Sequence, residues 1–211
     1  MNKRWLILTL ASTLGWYGVS NAALIDRGGG MIYDSDLDIT WLQDANYAMT
    51  SGYDSDGMMT WDNAMAWADT LSFGGYEDWR LPTHDHTNPR PTTSTSANEI
   101  GSLWNTLGGG SDLYEDTDFL PFTNIGGLTG SDPYPGWYWT AMEDTSDNSS
   151  AWYILMDCAC WGTSSKDTEY YAWAVRDGDV VGVAEPASVA LLATGLVGLG
   201  WSRRQTRRST V

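Results

Sequence analysis

The chain has 211 residues, with 27 acidic against 11 basic side chains and a formal charge of −16. Its 13 tryptophans and 11 tyrosines exclude a disordered protein, because so much aromatic surface requires a packed core. The acidity excludes nucleic acid as a partner, since a phosphate backbone would be repelled. Divalent cations, or simple solubility, remain as explanations of the charge.

Residues 1–23 predict an export signal. Lys3 and Arg4 precede an apolar run over residues 5–19, and small residues up to Ala22 or Ala23 offer a cleavage site. We therefore expect export across the inner membrane and a mature chain that begins near residue 24.

Residues 24–183 are predicted to form one domain, since about 160 residues suffice for one sizeable core and not for two. The two terminal segments hold six of the 11 basic residues and only one acidic residue. The domain therefore carries 26 acidic and five basic side chains, a formal charge of −21.

The first predicted element is a hairpin. Residues 31–33 and 39–42 form its strands, and Asp34, Ser35 and Asp36 favour the turn. A helix is predicted over residues 61–71, with Thr60 as its cap and Gly74-Gly75 as its end. Its apolar positions recur at three and four residues: Trp61, Ala64, Met65, Ala68 and Leu71.

A short strand is predicted over residues 78–83, where Pro82 interrupts it. Ser96 to Glu99 reads as a capping box before a second helix, which residues 108–110, all glycine, would end. The apolar stripe of this helix comprises Ile100, Leu103, Trp104 and Leu107. Three further strands are predicted over residues 137–142, 151–156 and 170–176, so the fold class is α+β.

The last segment, residues 184–211, is predicted to be a sorting tail with a hydrophobic helix. Glu185-Pro186 precedes a 15-residue apolar stretch over residues 187–201, and Arg203-Arg204 follows it. Arginines after an apolar stretch stop its passage through a bilayer, but 15 residues fall short of the roughly 17–25 that span one comfortably. The segment could therefore serve as a transient or as a permanent membrane anchor.

This tail resembles the PEP-CTERM sorting signal of Gram-negative bacteria, with Ala184 in place of the first proline. The resemblance implies that the exported protein meets an exosortase-type processing enzyme. It also implies a location in the cell envelope, at the outer surface or outside the cell, with the tail removed or kept as an anchor.

The segment between the two signals resembles the Lcl C-terminal domain family. The most specific element is Trp-Arg-Leu-Pro-Thr at residues 79–83. The resemblance also rests on residues 33–34, 41–47, 61–71, 137–140, 151–153 and 174–178. It implies a C-type-lectin-like fold, with two helices beside mixed antiparallel sheets and long loops that carry any binding function.

Four acidic clusters are candidate calcium sites, because alternating carboxylates supply the hard oxygen ligands that calcium prefers. The first two comprise Asp34, Asp36 and Asp38, and Asp54 and Asp56. The others comprise Glu115, Asp116 and Asp118, and Glu143, Asp144 and Asp147. Neither of the first two is an EF-hand, because both lack the glutamate at position twelve. A solvated acidic turn is the alternative for each cluster.

Three other pairs of residues each have more than one possible role. Arg80 and Arg176 could bind a carboxylate or sugar, but ion pairs with aspartates are favoured in so acidic a domain. His84 and His86 could form part of a two-histidine metal site. Cys158 and Cys160 could form a disulfide across one residue or remain thiols.

The sequence thus predicts an exported, non-enzymatic protein that binds a glycan or another surface polymer through aromatic and acidic loops. Sugars stack on rigid aromatic faces, and the domain holds ten tryptophans and ten tyrosines. A structural matrix component cross-linked by divalent cations is the first alternative. An envelope hydrolase, which would need both histidines to converge with a carboxylate, is the second.

Overall fold

Two sheets and three helices make up the part of the chain described by the computed structural model, which covers residues 24–87, 98–107, 120–126, 136–156 and 158–180. The strands are β1 Leu24–Gly28, β2 Met31–Asp34, β3 Ile39–Leu42, β4 Met58–Met59, β5 Trp137–Glu143, β6 Ser150–Leu155, β7 Cys160–Ser165, β8 Tyr170–Tyr171 and β9 Val175–Asp177. The helices are α1 Tyr47–Thr50, α2 Trp61–Asp69 and α3 Glu99–Thr106. The α+β prediction is confirmed, and the described residues are mostly sheet with few helices.

The first sheet has the strand order β1-β2-β3-β9, and all of its pairs are antiparallel. The predicted hairpin is confirmed, since Met31 pairs with Leu42 and Asp34 pairs with Ile39. Strand β9, from the end of the described chain, joins the other side of β3 through the pair Thr40 and Arg176.

The second sheet has the order β4-β8-β5-β6-β7, in which only β5 and β8 run parallel. The strands predicted over 137–142 and 151–156 are confirmed as β5 and β6, with shifts of one residue. The strand predicted over 170–176 is wrong, because the chain leaves the second sheet after Tyr171 and enters the first at Val175. The buried Trp173 lies in the crossing, where its Nε1 donates to the carbonyl of Leu42 at 2.7 Å.

Helix α2 confirms the first predicted helix but ends at Asp69, before Leu71 and the Gly74-Gly75 pair. Thr60 occupies the capping position, although its side chain makes no capping hydrogen bond. The fully buried side of α2 includes Trp67. The predicted apolar stripe of this helix included Met65, which is only half-buried, and left out Trp67.

Helix α3 begins at Glu99, and the predicted capping box is wrong. Asn98 caps the helix, since its Oδ1 accepts from the backbone N–H of Gly101 at 3.0 Å. The Glu99 side chain is used elsewhere, as described below. Ser96 and the glycines at 108–110 lie outside the described residues.

The core is built from aromatic rings of both sheets. Trp41 and Trp173 lie 5.1 Å apart between ring centroids, and Phe122 packs on both rings. Two buried indole N–H groups donate to backbone carbonyls, that of Trp61 to Thr140 and that of Trp139 to Met59, each at 2.8 Å. The aromatic content that excluded disorder is therefore mainly core.

The predicted signal helix, residues 1–23, and the predicted hydrophobic helix of the tail lie outside the described residues. Within the described ranges, no helix has the length and apolar character needed to cross a membrane.

Candidate functional site

The two central arginines form ion pairs, which confirms the predicted role. Arg80 donates Nη1 and Nη2 to the two oxygens of the Glu99 carboxylate at 2.8 and 2.7 Å, and Nη2 also contacts Asp177. Glu99 is almost fully buried, and its hydrogen bonds to Arg80 raise the pKa of that guanidinium. The partner of Arg80 is thus chiefly a glutamate rather than the aspartate that the composition favoured.

Arg176 is held in the same manner. Its Nε and Nη2 each lie 2.8 Å from a carboxylate oxygen of Asp78, and its guanidinium carbon lies 4.1 Å from the centre of the Tyr76 ring. These hydrogen bonds lower the pKa of the Asp78 carboxyl. Both arginines therefore join segments of the fold and are not available to hold a ligand.

Asp34 and Asp38 bond within their own turn. Asp34 Oδ1 accepts from the backbone N–H groups of Asp36 at 3.0 Å and Leu37 at 3.2 Å, and Asp38 accepts from the hydroxyl of Tyr33. Burial raises the pKa of the Asp34 carboxyl, and its Oδ2 has no hydrogen-bond partner among the described residues.

The second acidic loop follows the same pattern. Asp54 Oδ1 accepts from the N–H groups of Asp56 at 3.1 Å and Gly57 at 2.9 Å, and Asp56 Oδ1 accepts from Met58 at 3.0 Å. In this loop the carboxylates stabilise turns of the backbone. Across the described ranges, no three His, Cys, Asp or Glu side chains converge where they could hold a metal ion. Calcium binding stays a prediction.

Of the other two acidic clusters, one lies outside the described residues and the other makes local contacts. Residues 115–118 lie outside the described part of the chain. In the last cluster Glu143 pairs with Lys166, and Asp144 Oδ1 accepts from both the N–H and the hydroxyl of Ser146.

The two histidines lie together on an aromatic surface, which we call the His–Trp surface and define as His84, His86, Trp152 and Trp161. His86 stacks on Trp152 with 4.7 Å between ring centroids and an 11° interplanar angle. The His84 ring lies 6.1 Å from Trp152 and 5.9 Å from Trp161. Beside these rings is an open depression of about 290 Å³, lined by Thr83, His84, Asp85, His86 and Met142.

The strands explain why the two tryptophans meet. Trp152 and Ile154 are two residues apart on β6, so their side chains share one face of the sheet. Ile154 pairs with Trp161 on β7, and paired residues also share a face. The two indoles are therefore diagonal neighbours, with ring centroids 5.4 Å apart.

Helix α3 and strand β5 position the histidines. The backbone N–H of Thr83 donates to Glu99 at 2.8 Å, and the carbonyl of Pro82 accepts from Ala141 at 2.9 Å. The chain that follows Pro82 is thereby held against β5 and α3. The ion pair of Arg80 with Glu99 thus supports the His–Trp surface indirectly.

His84 has a defined protonation pattern. Its Nδ1 lies 3.4 Å from Asn98 Oδ1, an oxygen that already accepts from Gly101, so Nδ1 carries the hydrogen and donates. Burial lowers the pKa of His84, which keeps the ring neutral and leaves Nε2 as an acceptor. Nε2 is buried and has no hydrogen-bond partner in the described part of the chain.

Sequence reasoning found the histidines but missed their tryptophan neighbours. Strand β7 was not predicted, because its sequence after Trp161 is Gly-Thr-Ser-Ser and lacks the bulky side chains that indicate a strand. Of the ten tryptophans in the domain only Trp161 is exposed, at 39%. The available signal was the alternation of His84 with His86, which places both rings on one side of an extended segment.

Comparison with known families fits this architecture. Residues 30–176 match the model of the Lcl C-terminal domain. The chain belongs to the Lcl C-terminal domain family. The matched Lcl C-terminal domain includes the whole His–Trp surface. It also includes both sheets, except for strand β1 and the last residue of β9.

Residues 183–204 match the PEP-CTERM protein-sorting motif. The match includes Glu185, Pro186, Arg203 and Arg204, all outside the described residues, and supports sorting by an exosortase-type enzyme during export in a Gram-negative bacterium. No curated protein sequence matches the chain significantly.

Proposed function

We propose that this exported protein is a non-enzymatic component of the cell envelope or extracellular matrix, whose Lcl C-terminal domain binds a glycan at the His–Trp surface. The domain is proposed to be C-type-lectin-like, and the tail to act as a membrane anchor before processing. The single observation that carries the binding proposal is the exposed Trp161 ring beside a depression lined by histidines.

The chemistry of this surface suits a saccharide. A sugar ring presents C–H groups on one face and hydroxyls at its rim, so it stacks on an indole while its hydroxyls hydrogen-bond. Trp161 supplies the exposed aromatic face. Thr83, His84 and Asp85 line the depression beside it.

The same contacts argue against a catalytic use of the histidines. His86 lies flat on Trp152, and Asp85 Oδ1 accepts from the N–H and hydroxyl of Thr87 at 2.9 and 2.6 Å. The Asp85 carboxylate thus stabilises its own turn.

A glycan array probed with the exported protein, with and without calcium, tests the proposal. In a follow-up titration with the best glycan, Trp161→Ala should weaken binding about tenfold, through loss of stacking worth roughly 1.4 kcal/mol. Tyr53→Ala is the matched control, because Tyr53 is an exposed aromatic residue, at 56%, outside the His–Trp surface. No binding to any glycan, or equal losses in the two variants, would contradict the proposal.

A second function, assembly of a matrix through divalent cations, is favoured by Asp34 Oδ2, which is buried and has no hydrogen-bond partner in the described part of the chain, and by the domain's formal charge of −21. Light scattering would show calcium-dependent assembly that choline chloride at equal ionic strength does not reproduce. Equal scattering in the two salts would remove this alternative.

A further inference from the structure

The two cysteines of the chain form a disulfide at an exposed position. Cys158 and Cys160 are bonded to each other, with 5.1 Å between their Cα atoms. They lie where the chain turns from β6 into β7, and Cys160 is the first residue of β7. Cys160 is exposed and Cys158 is half-buried. An incoming reagent therefore reaches Cys160 more easily than Cys158.

This bond adds little to the stability of the fold. A disulfide stabilises a protein mainly by restricting the unfolded chain, and the effect grows with the length of the closed loop. Here one residue, Ala159, separates the cysteines. The six β6–β7 residue pairs, from Ser150 and Ser165 to Leu155 and Cys160, already hold the two strands together.

The local backbone suits Cys158 as a leaving thiolate. The N–H of Cys160 lies 3.2 Å from Cys158 Sγ, and a hydrogen bond of this kind stabilises a negative charge on sulfur. Ala159 is buried and has a left-handed φ of 49°, so packing holds the turn between the cysteines in place. The backbone pairing of β6 with β7 is not made by this bond, so we expect the two sulfurs to stay neighbours when it opens.

We propose that the Cys158–Cys160 disulfide is a thiol-exchange site, at which an external thiol becomes reversibly attached to Cys160. The incoming thiolate attacks Cys160 Sγ, the bond between the two cysteines breaks, and its electron pair goes to Cys158 Sγ. Cys158 then takes a proton from water. Attack by the Cys158 thiolate on the new mixed disulfide reverses the step and releases the thiol, so the exchange consumes no oxidant or reductant.

The ligand class is a thiol, either a small molecule or a cysteine of another protein. Attachment at Cys160 places it beside Trp161 along β7 but on the opposite face of the sheet from the His–Trp surface, because the side chains of consecutive strand residues alternate. The exchange itself does not require glycan binding, so the two proposals fail or succeed separately.

Glutathione tests the exchange in the folded protein. The exported protein is incubated with reduced glutathione, quenched with acid, alkylated and mapped by peptide mass. We expect a glutathione adduct at Cys160, then two alkylated thiols at higher glutathione, with circular dichroism and tryptophan fluorescence unchanged. A bond that resists glutathione until the protein is denatured, or that opens only with loss of the fold, would overturn the proposal.

Single variants identify the attacked sulfur and the source of the thiol. With oxidised glutathione, Cys158→Ser should accumulate a stable adduct at Cys160, because no second thiol can release it. Cys160→Ser should form less adduct at the half-buried Cys158, and equal labelling would contradict the assignment of Cys160.

Reduced Cys158→Ser protein is then mixed with the wild-type chain. A covalent dimer on a non-reducing gel shows that a protein thiol is accepted, whereas glutathione adducts without dimer limit the site to small thiols. If neither thiol reacts with the native wild-type bond, there is no exchange site.

Discussion

At the scale of single residues, the ion pair between Arg80 and Glu99 contains the most buried carboxylate among the ion pairs of the described residues. Glu99 accepts two hydrogen bonds from Arg80 and one from the N–H of Thr83, and it is almost fully buried. Glu99→Gln removes the charge and leaves the guanidinium with a poorer partner. We expect the free energy of unfolding to fall by about 2–3 kcal/mol, measured by urea denaturation.

The neighbouring Asp177 provides the control. It contacts the same guanidinium, but its side chain is 80% exposed. Solvent screens exposed pairs, so Asp177→Asn should cost less than about 1 kcal/mol. Equal effects of the two substitutions would show that burial of Glu99 does not govern the strength of the pair.

The buried His84 predicts a specific dependence of stability on pH. Burial lowers its folded pKa below the value of the unfolded chain, near 6.5, so the unfolded chain binds the proton more readily. The free energy of unfolding should therefore fall as the pH drops from about 6.5 through the lower folded pKa.

Urea denaturation across this pH range measures the effect. His84→Gln should flatten the dependence, because glutamine does not titrate, whereas His86→Gln should keep most of it, because burial lowers the pKa of His84 more than the charge of His86 does. A slope that survives in the His84 variant would mean that another group is responsible.

At the scale of elements, the segment 120–126 packs on β8 through a glycine. A Cβ at Gly126 would lie 2.4–2.6 Å from three ring carbons of Tyr171, a residue that is only 4% exposed. The Gly126 N–H also donates to the hydroxyl of Tyr138 at 2.6 Å, which fixes the distance between segment and sheet. Gly126→Ala should destabilise the protein by about 2–3 kcal/mol through overpacking.

Gly162→Ala is the comparison within the same sheet. Its Cβ would approach the hydroxyl end of Tyr153 at 2.8 Å, and Tyr153 is only half-buried. This ring can shift more easily than Tyr171, so we expect a loss nearer 1 kcal/mol in the same denaturation experiment. The opposite order of the two losses would refute the packing argument.

The predicted elements show what local sequence controls. The hairpin of β2 and β3 is confirmed because its turn residues and β-propensities agree. The N-terminal cap of α3 is predicted wrongly, because serine and asparagine both cap helices well and the sequence offers Ser96 and Asn98. The tertiary ion pair of Arg80 with Glu99 favours Asn98 as the cap. Strand β7 is missed since its partner β6, not its own composition, makes it a strand.

At the scale of the whole molecule, charge is the dominant property. The domain carries 26 acidic and five basic side chains, and this excess repels itself in the compact state. Added salt screens that repulsion, since the Debye length falls from about 30 Å at 0.01 M to about 10 Å at 0.1 M. Raising sodium chloride over this range should stabilise the exported protein by about 1 kcal/mol, seen as a rise of a few degrees in Tm.

Choline chloride is the control for this measurement. Screening depends on ionic strength and not on the cation, so both salts should raise Tm equally. A constant or falling Tm in either salt would show that the attractive ion pairs outweigh the repulsion.

The amino-acid sequence alone specified the sorting motif, the charge, the α+β class and the presence of a large aromatic core, because these depend on composition and short-range pattern. Tertiary structure decided which aromatic rings are exposed, where the strand over 170–176 divides, and that Trp161 meets His84. Those outcomes depend on contacts between residues far apart in the chain, such as Thr40 with Arg176 and His84 with Trp161, and no local propensity encodes such a contact.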